Sequence, residues 1–161
     1  MNLALLAYRN LNVPRRLASD FLGVFSGAEF ALKHAGFARG DKTGAHPDWD
    51  AYAKAISPKF SRLKRRDFRK SVVYLLSHPP RKQVVVKGHI TWRDSPPPSK
   101  LSEAEQVLLL VRRVRNNLFH GGKFLPRDVT PERDRDLVRH SLTVLKACLR
   151  LHPHVGVRYG I

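Results

Sequence analysis

At 161 residues, of which 42% are hydrophobic, the chain is long enough for one hydrophobic core and too short for two comfortable domains. This composition excludes wholesale disorder, and no apolar run approaches the roughly 20 residues of a membrane-spanning helix. The 30 Lys and Arg residues against 13 Asp and Glu give a formal net charge of +17, which makes nucleic acid the first partner to expect. A solvated basic surface that only keeps the protein in solution is the alternative.

The N-terminal residues and the cysteine content bear on the cellular compartment. Residues 1–7 are mildly apolar, but no basic segment precedes them, so we expect no signal peptide. Cys148 is the one cysteine of the chain, which rules out an internal disulfide, and its apolar helical surroundings predict a small core residue. These features favour a cytoplasmic protein without membrane association.

The first predicted helix follows an N-terminal arm over residues 1–18. Ser19 is a candidate N-cap and Gly36 a candidate stop, and apolar residues recur between them at helical spacing. Residues 36–47 carry three glycines and several polar residues, a composition that predicts a loop.

A second predicted helix begins near Trp49 and ends at Pro58. Seven of the twelve residues 59–70 are basic, yet an apolar stripe continues beneath the charge to Leu75, which predicts a separate basic amphipathic helix. Its basic side chains are candidates for contacts to RNA phosphates, and a purely solvated face is an equally weighted alternative. The candidate RNA-binding residues of this segment are Arg62, Lys64, Arg65, Arg66 and Arg69.

Two proline clusters, at residues 79–80 and 96–98, enclose the stretch that is richest in β-branched residues. We expect residues 83–93 to form a small extended or β-hairpin excursion. Because a single strand pair is marginal alone, it must either pack on helices or form a mobile flap.

The strongest start signal in the chain is the capping box formed by Ser102 and Glu105. An apolar stripe then runs at helical spacing to Leu118, and the Gly121-Gly122 pair follows. The sequence therefore predicts a core helix that ends at the glycine pair.

The last predicted helix begins at Thr130-Pro131-Glu132, where an N-cap, a proline at the first helical position and an acid follow one another. Pro153 ends it, and the tail over residues 153–161 is expected to be peripheral. Together these elements predict an all-α fold, a bundle of about four to five helices with one small extended or hairpin excursion, in a single domain over residues 1–161.

The helix before the glycine pair gathers side chains suited to chemistry on phosphates. With 100° of rotation per residue, Asn116 and His120 lie about 180° and 220° from the core stripe, Arg112 and Arg113 about 140° and 240°, and Arg115 about 80°. Arginine can hold a phosphate in a fixed fork, and histidine can move protons near neutral pH. A solvated face that ends in a histidine favoured by the helix dipole is the alternative from spacing alone.

The run Arg115-Asn116-Asn117-Leu118-Phe119-His120 resembles the Arg, polar residue, three variable residues, His motif of the HEPN superfamily of helical RNA-processing proteins. As in that family, the run ends one long helix just before the final one. A looser resemblance extends over most of the chain, through the first helix, the Pro47-Asp48-Trp49-Asp50 segment and the approach Leu110-Val111-Arg112-Arg113-Val114 to the motif.

The resemblance implies metal-independent endoribonuclease activity, with the motif helices of two subunits meeting at a composite site. His120 would act as general acid or base while a ribose 2′-hydroxyl attacks the adjacent phosphate. Arg115 would hold that phosphate, and Asn116 would orient the imidazole or bond a phosphate oxygen. Arg115 and His120 lie about 140° apart on a regular helix, so either the helix unwinds near Gly121 or a second subunit of a homodimer supplies the missing half. Further candidate RNA contacts near the motif are Arg112, Arg113 and Lys123.

The family often works in toxin–antitoxin and phage-defence systems, so an antitoxin or regulatory protein is an expected partner beside the RNA. A non-catalytic RNA-binding module of the same fold is the alternative, and a general RNA-packaging or ribosome-associated protein is a third. An intact Arg115, Asn116 and His120 favours the enzyme, because binding alone requires charge but no imidazole.

Neither a metal site nor a cofactor is predicted. His152 and His154 lack a nearby acidic or cysteine partner in the sequence. The acids Glu132, Asp134 and Asp136 lie in the first turns of a helix, where the dipole favours them.

Overall fold

The computed structural model describes residues 11–119 and 131–161, except for the side chain of Pro131. Those residues form six helices and two antiparallel hairpins, which confirms a mostly helical protein with a hairpin at residues 83–93. The elements in chain order are α1 (Arg15–His34), β1 (Ala38–Asp41), β2 (Gly44–Pro47), α2 (Trp49–Arg62), α3 (Arg66–Ser77), β3 (Lys82–Val86), β4 (His89–Arg93), α4 (Glu103–Phe119), α5 (Pro131–Cys148) and α6 (Pro153–Tyr159). Buried side chains from all six helices meet in one core.

Helix α1 begins at Arg15, so the predicted start at Ser19 was wrong. Pro14 precedes the first turn with φ −54°, and its carbonyl accepts a hydrogen bond from the Ala18 amide at 3.0 Å. Pro14 makes no side-chain capping bond, and its fixed φ lies in the range that the start of a helix accepts. The last residues of the predicted arm are also packed, since Val13 is only 3% exposed.

The C-terminus of α1 confirms the predicted stop at Gly36. This glycine has φ +90°, and the amide of Phe37 reaches back to the Leu32 carbonyl at 2.9 Å. That bond closes a left-handed helix cap, a conformation that glycine adopts without a Cβ penalty.

Residues 36–47 contain the β1–β2 hairpin, so the predicted loop was wrong. The strands pair Ala38 with Pro47 and Arg39 with His46. Gly40 is required where it stands, because its φ is +131° and a Cβ would lie 2.0 Å from the Gly44 carbonyl oxygen. The glycines that predicted a loop are what allows the two short strands to approach each other.

Helix α2 runs through Pro58 to Arg62, and α3 starts at Arg66, so the predicted helix end at Pro58 and the continuous basic helix over residues 59–70 were both wrong. Proline 58 removes one backbone hydrogen bond on an exposed face of α2. Burial of Phe60 on the opposite face offsets that loss. The centres of the Phe60 and Phe68 rings lie 4.9 Å apart. The apolar stripe that the sequence shows is therefore divided between α2 and α3, which meet at a bend.

Helix α4 starts as predicted. The amide of Ser102 donates to the Glu105 carboxylate at 3.0 Å, and the Glu105 amide donates to the Ser102 hydroxyl at 3.4 Å. The predicted stripe is buried, and its members are at most 4% exposed. These core residues are Val107, Val111, Val114 and Leu118. The Gly121-Gly122 pair lies outside the described residues.

Helix α5 begins at Pro131, as predicted, while Thr130 lies outside the described residues. It ends at Cys148, and Pro153 instead starts the short helix α6. The predicted peripheral tail was wrong, because α6 packs on α1 and buries Val155. Gly27 of α1 leaves the room for this contact: a Cβ there would lie 2.7 Å from Cε2 of Tyr159.

A partly buried serine–histidine contact joins α3 to α5. The Ser71 hydroxyl donates to the Asp67 carbonyl at 2.8 Å and lies 2.9 Å from Nδ1 of His140, which donates to it when that nitrogen is protonated. The Tyr74 ring also packs at 4.3 Å on His140. Because the serine proton is committed to a helix carbonyl, this pair is a packing contact and not a nucleophile with its base.

His140 makes the stability of the fold depend on pH. Burial lowers the pKa of its imidazole below 6.5, while Asp136 opposes and Lys70 and Arg139 add to the shift. The folded state therefore binds fewer protons here than the unfolded state, and stability from this group is lost as the pH falls through 6.5. We expect His140→Gln to flatten the decline in the free energy of unfolding between pH 7.5 and 5.5. Urea unfolding of wild type and variant at each pH measures the free energy of unfolding. Burial also lowers the pKa of His152, but that contribution is the same in both proteins and cancels when they are compared. An unchanged pH dependence in the variant would contradict the role given to His140.

Candidate functional site

Arg115 and Asn116 come together at the end of α4. The Nη1 atom of Arg115 donates to Oδ1 of Asn116 at 3.2 Å, and its guanidinium lies 5.4 Å from the centre of the Phe25 ring in α1. Asn116 is exposed. The predicted arrangement, with Arg115 on the flank of the core stripe and Asn116 on the outer face, therefore holds. His120 and Lys123 lie outside the described residues.

The carboxamide of Asn117, next to Asn116, has a structural use. Asn117 is 7% exposed, and its Nδ2 donates to the Arg81 carbonyl at 2.8 Å. This bond attaches the base of the β3–β4 hairpin to α4. Of the two adjacent asparagines, only Asn116 presents its side chain to solvent.

Arg112 and Arg113 have different surroundings although they are neighbours. Arg112 Nη1 forms a 2.9 Å ion pair with Asp50 at the start of α2. Arg113 Nη1 donates to the Pro80 carbonyl at 3.1 Å and to the Ser95 carbonyl at 2.5 Å, and burial lowers its pKa. Arg113 thus holds together the two ends of the β3–β4 excursion, whereas Arg112 stays on the surface that an anion can reach.

Two grooves flank Arg112 and Asn116. The first, which we call the hairpin groove, lies between α4 and the β1–β2 hairpin and encloses about 200 Å³. Its polar lining comprises Glu29, Arg39, His46, Arg112 and Asn116, and its apolar lining Phe25, Pro47 and Trp49. The second, which we call the flap groove, lies between α4 and β3 and encloses about 450 Å³. It adds Lys82 and Gln83 from β3 to the same two α4 residues.

The predicted RNA-binding segment lies elsewhere on the molecule. Arg62, Lys64, Arg65 and Arg66 are exposed at the bend between α2 and α3. Arg65 pairs with Asp67 at 2.6 Å, and Arg69 holds the Glu103 carboxylate with two bonds of 2.7 and 2.8 Å. Glu103 starts α4 and Asn116 lies thirteen residues later, which is roughly 20 Å along the helix. The structure therefore separates this segment from the motif.

Sequence reasoning missed Glu29, Arg39 and His46. Glu29 lies within the first predicted helix, and Arg39 and His46 lie in the predicted loop over residues 36–47, so no site pattern includes them. The alternation of Arg39 with Asp41 and of Gly44 with His46 was the available signal, since alternate residues of a strand share one face. It is short and contains glycines, so it does not resemble an ordinary strand pattern.

Burial explains the environment of the Cys148 thiol. Cys148 is buried, which raises the pKa of its thiol and makes it a core residue, as predicted.

Within residues 11–119 and 131–161, no three His, Cys, Asp or Glu side chains are grouped as metal ligands would be. No described helix combines the length and apolar character needed to cross a membrane.

The chain matches no protein-family model, no curated protein and no solved structure at a significant level.

The two neighbouring arginines give a matched test of structural and surface roles. We expect Arg113→Ala to lower the free energy of unfolding by about 2–3 kcal/mol, because it leaves two backbone carbonyls without a charged donor. Arg112→Ala should cost less than about 1 kcal/mol, because its ion pair with Asp50 is solvent-exposed. Urea unfolding of both variants measures the difference; equal losses would contradict the distinction.

Proposed function

We propose that this protein is a metal-independent endoribonuclease of the HEPN type, and that its cleavage site lies at the end of α4. The observation that carries the proposal is the contact of Arg115 with Asn116 on a rigid core helix, beside two grooves that share Arg112. Held by packing on Phe25, the guanidinium of Arg115 is pre-positioned for an anion. The net charge of +17 supports a polyanionic substrate.

The proposed reaction uses the substrate's own nucleophile. The ribose 2′-oxygen attacks phosphorus, the bond from phosphorus to the 5′-oxygen of the next nucleotide breaks, and a 2′,3′-cyclic phosphate forms. Arg115 neutralises the charge that develops on the phosphoryl oxygens, and His120 transfers a proton as general acid or base. Asn116 comes four residues before His120 in the sequence, and it orients that imidazole or bonds a phosphate oxygen.

A homodimer completes the proposed site. α4 is a regular helix through Phe119. To bring His120 toward Arg115 of the same chain, the helix would therefore have to unwind after Phe119. A twofold partner that places its own His120 opposite Arg115 needs no such change.

The exposed charges at the bend between α2 and α3 extend the proposed RNA path. Arg69, which follows them in α3, contacts Glu103 in the first turn of α4, roughly 20 Å along the helix from Asn116, a distance that a few nucleotides of single-stranded RNA span. Substrate held at both ends of α4 would lie along the molecule. We propose that the protein acts in the cytoplasm as a toxin or phage-defence effector. An antitoxin or regulatory protein would inhibit it.

Cleavage in the presence of excess chelator tests the proposal. Wild type should cut RNA and spare DNA of the same sequence, because DNA lacks the 2′-hydroxyl. Arg115→Ala and His120→Ala should each lose at least about 100-fold in rate, while Arg158→Ala, which removes an exposed arginine of α6, should not. Unchanged cleavage by the His120→Ala protein would contradict the role of His120 in proton transfer. Binding without cleavage by wild type would favour a non-catalytic RNA-binding module instead.

The basic bend is tested by the salt dependence of RNA binding. Replacement of Arg62, Lys64 and Arg66 by Gln should lower the slope of log K against log salt by about 2, because roughly 0.7 counterion is released for each single-strand phosphate contact. A matched control removes three exposed charges elsewhere, at Lys146, Arg150 and Arg158. Equal slopes for the two triple variants would count against a specific path across the bend.

A further inference from the structure

The β1–β2 hairpin presents a charged face to the end of α4. Arg39 and His46 are directly paired across the strands, and Asp41 is paired with Gly44. Because alternate residues share one face of a strand, Arg39, Asp41 and His46 all project from the same side of the hairpin. Arg39 and His46 line the hairpin groove, so this side is the one turned toward α4.

The His46 ring lies beside Gly44, at an ordinary contact distance. A Cβ built on Gly44 would lie 3.5 Å from Nε2 of His46, so the imidazole extends along the hairpin over the glycine that faces Asp41. The Asp41 carboxylate is itself fixed, since its Oδ1 accepts bonds from the amide and the hydroxyl of Thr43 at 2.7 and 2.5 Å. The Thr43 bonds, and to a smaller degree His46, lower the pKa of Asp41 and keep it ionised.

The opposite side of the groove belongs to the proposed cleavage site. Arg112 and Asn116 project from α4 into the same space of about 200 Å³, and Glu29 projects from α1. The charged groups around His46 are therefore Asp41 and Arg39 on its own hairpin, Arg112 on α4 and Glu29 on α1. An anion in this groove would meet Arg39 and His46 on the hairpin and Arg112 and Asn116 on α4.

We propose that His46 is the general base of the cleavage reaction, which takes the proton of the 2′-hydroxyl while the Asp41 carboxylate stabilises the imidazolium that forms. This inference rests on the proposed function. The 2′-oxygen bonds to phosphorus as its proton moves to His46, and the electron pair of the breaking bond leaves on the 5′-oxygen, which receives a proton from His120. The next reaction needs His46 deprotonated and His120 protonated again, and exchange with water restores both.

The assignment gives each chain of the proposed homodimer both a proton acceptor and a proton donor. In-line displacement by a hydroxyl needs one group to accept a proton and another to donate one. The motif supplies a single imidazole per chain, and the hairpin supplies a second one to the groove that Asn116 lines. Asp41, on the same side of the hairpin, compensates the positive charge that appears on His46 after proton transfer.

A substrate with an altered leaving group separates the two proton transfers. In RNA with a bridging sulfur in place of the 5′-oxygen, the leaving thiolate needs no proton, so the loss of a general acid is rescued and the loss of a general base is not. We expect His46→Gln to lower kcat at least about 100-fold with little change in KM, on both ordinary and sulfur-bridged RNA. His120→Ala should recover most of its activity on the sulfur-bridged substrate. The acidic limb of the rate–pH profile should be lost in His46→Gln.

The control variant is His89→Gln, which removes an exposed histidine from the other hairpin and should keep wild-type rates. Circular dichroism and the urea midpoint establish that His46→Gln is folded, and Asp41→Asn should give a smaller loss in kcat with a shifted acidic limb. Two results would overturn the role of His46 while the proposed function stands. One is activity of His46→Gln within about threefold of wild type, and the other is recovery of its activity on the sulfur-bridged RNA. Absence of RNA cleavage by wild type would overturn both.

Discussion

Burial of one face of α4 is the constraint on which the rest of the molecule depends. Val107, Val111, Val114 and Leu118 are removed from water against α2 and α5, and each such side chain contributes about 1.5–3 kcal/mol relative to an exposed one. A helix fixed along one side cannot rotate. Its remaining faces are therefore fixed in direction, so that Asn116 must point outward and Arg115 must lie against α1.

That constraint also explains why the charged groups around α4 divide into structural and accessible ones. Arg113 and Asn117 face the hairpin β3–β4 and are used to attach it through backbone carbonyls. Arg112 and Asn116 lie on the rim that the two grooves share. A polyanion attracted by the overall charge therefore meets a short row of oriented donors on a rigid element, which is the condition for electrostatic stabilisation without reorganisation.

The features that sequence reasoning predicted well are those with a local cause. The capping box of α4, the glycine cap of α1 and the β-branched run of β3–β4 each depend on residues close together in the chain. The errors came from tertiary packing: the burial of Phe60 carries α2 through Pro58, and the contact of Tyr159 with Gly27 orders the tail. At the site, the outward direction of Asn116 followed from helical geometry. His46 did not, because its hairpin is four residues per strand and lacks β-branched residues.

We propose that the end of α4 cleaves RNA through the substrate's own 2′-hydroxyl, and the chemistry of the product ends is the most direct test of that reaction. Mass spectrometry of fragments made by the purified wild-type protein in excess chelator identifies both ends of each cut. We expect a 2′,3′-cyclic phosphate on one fragment and a 5′-hydroxyl on the next, with no cut at a position that carries a 2′-deoxyribose. Fragments with a 3′-hydroxyl and a 5′-phosphate, or cleavage at the deoxy position, would contradict it.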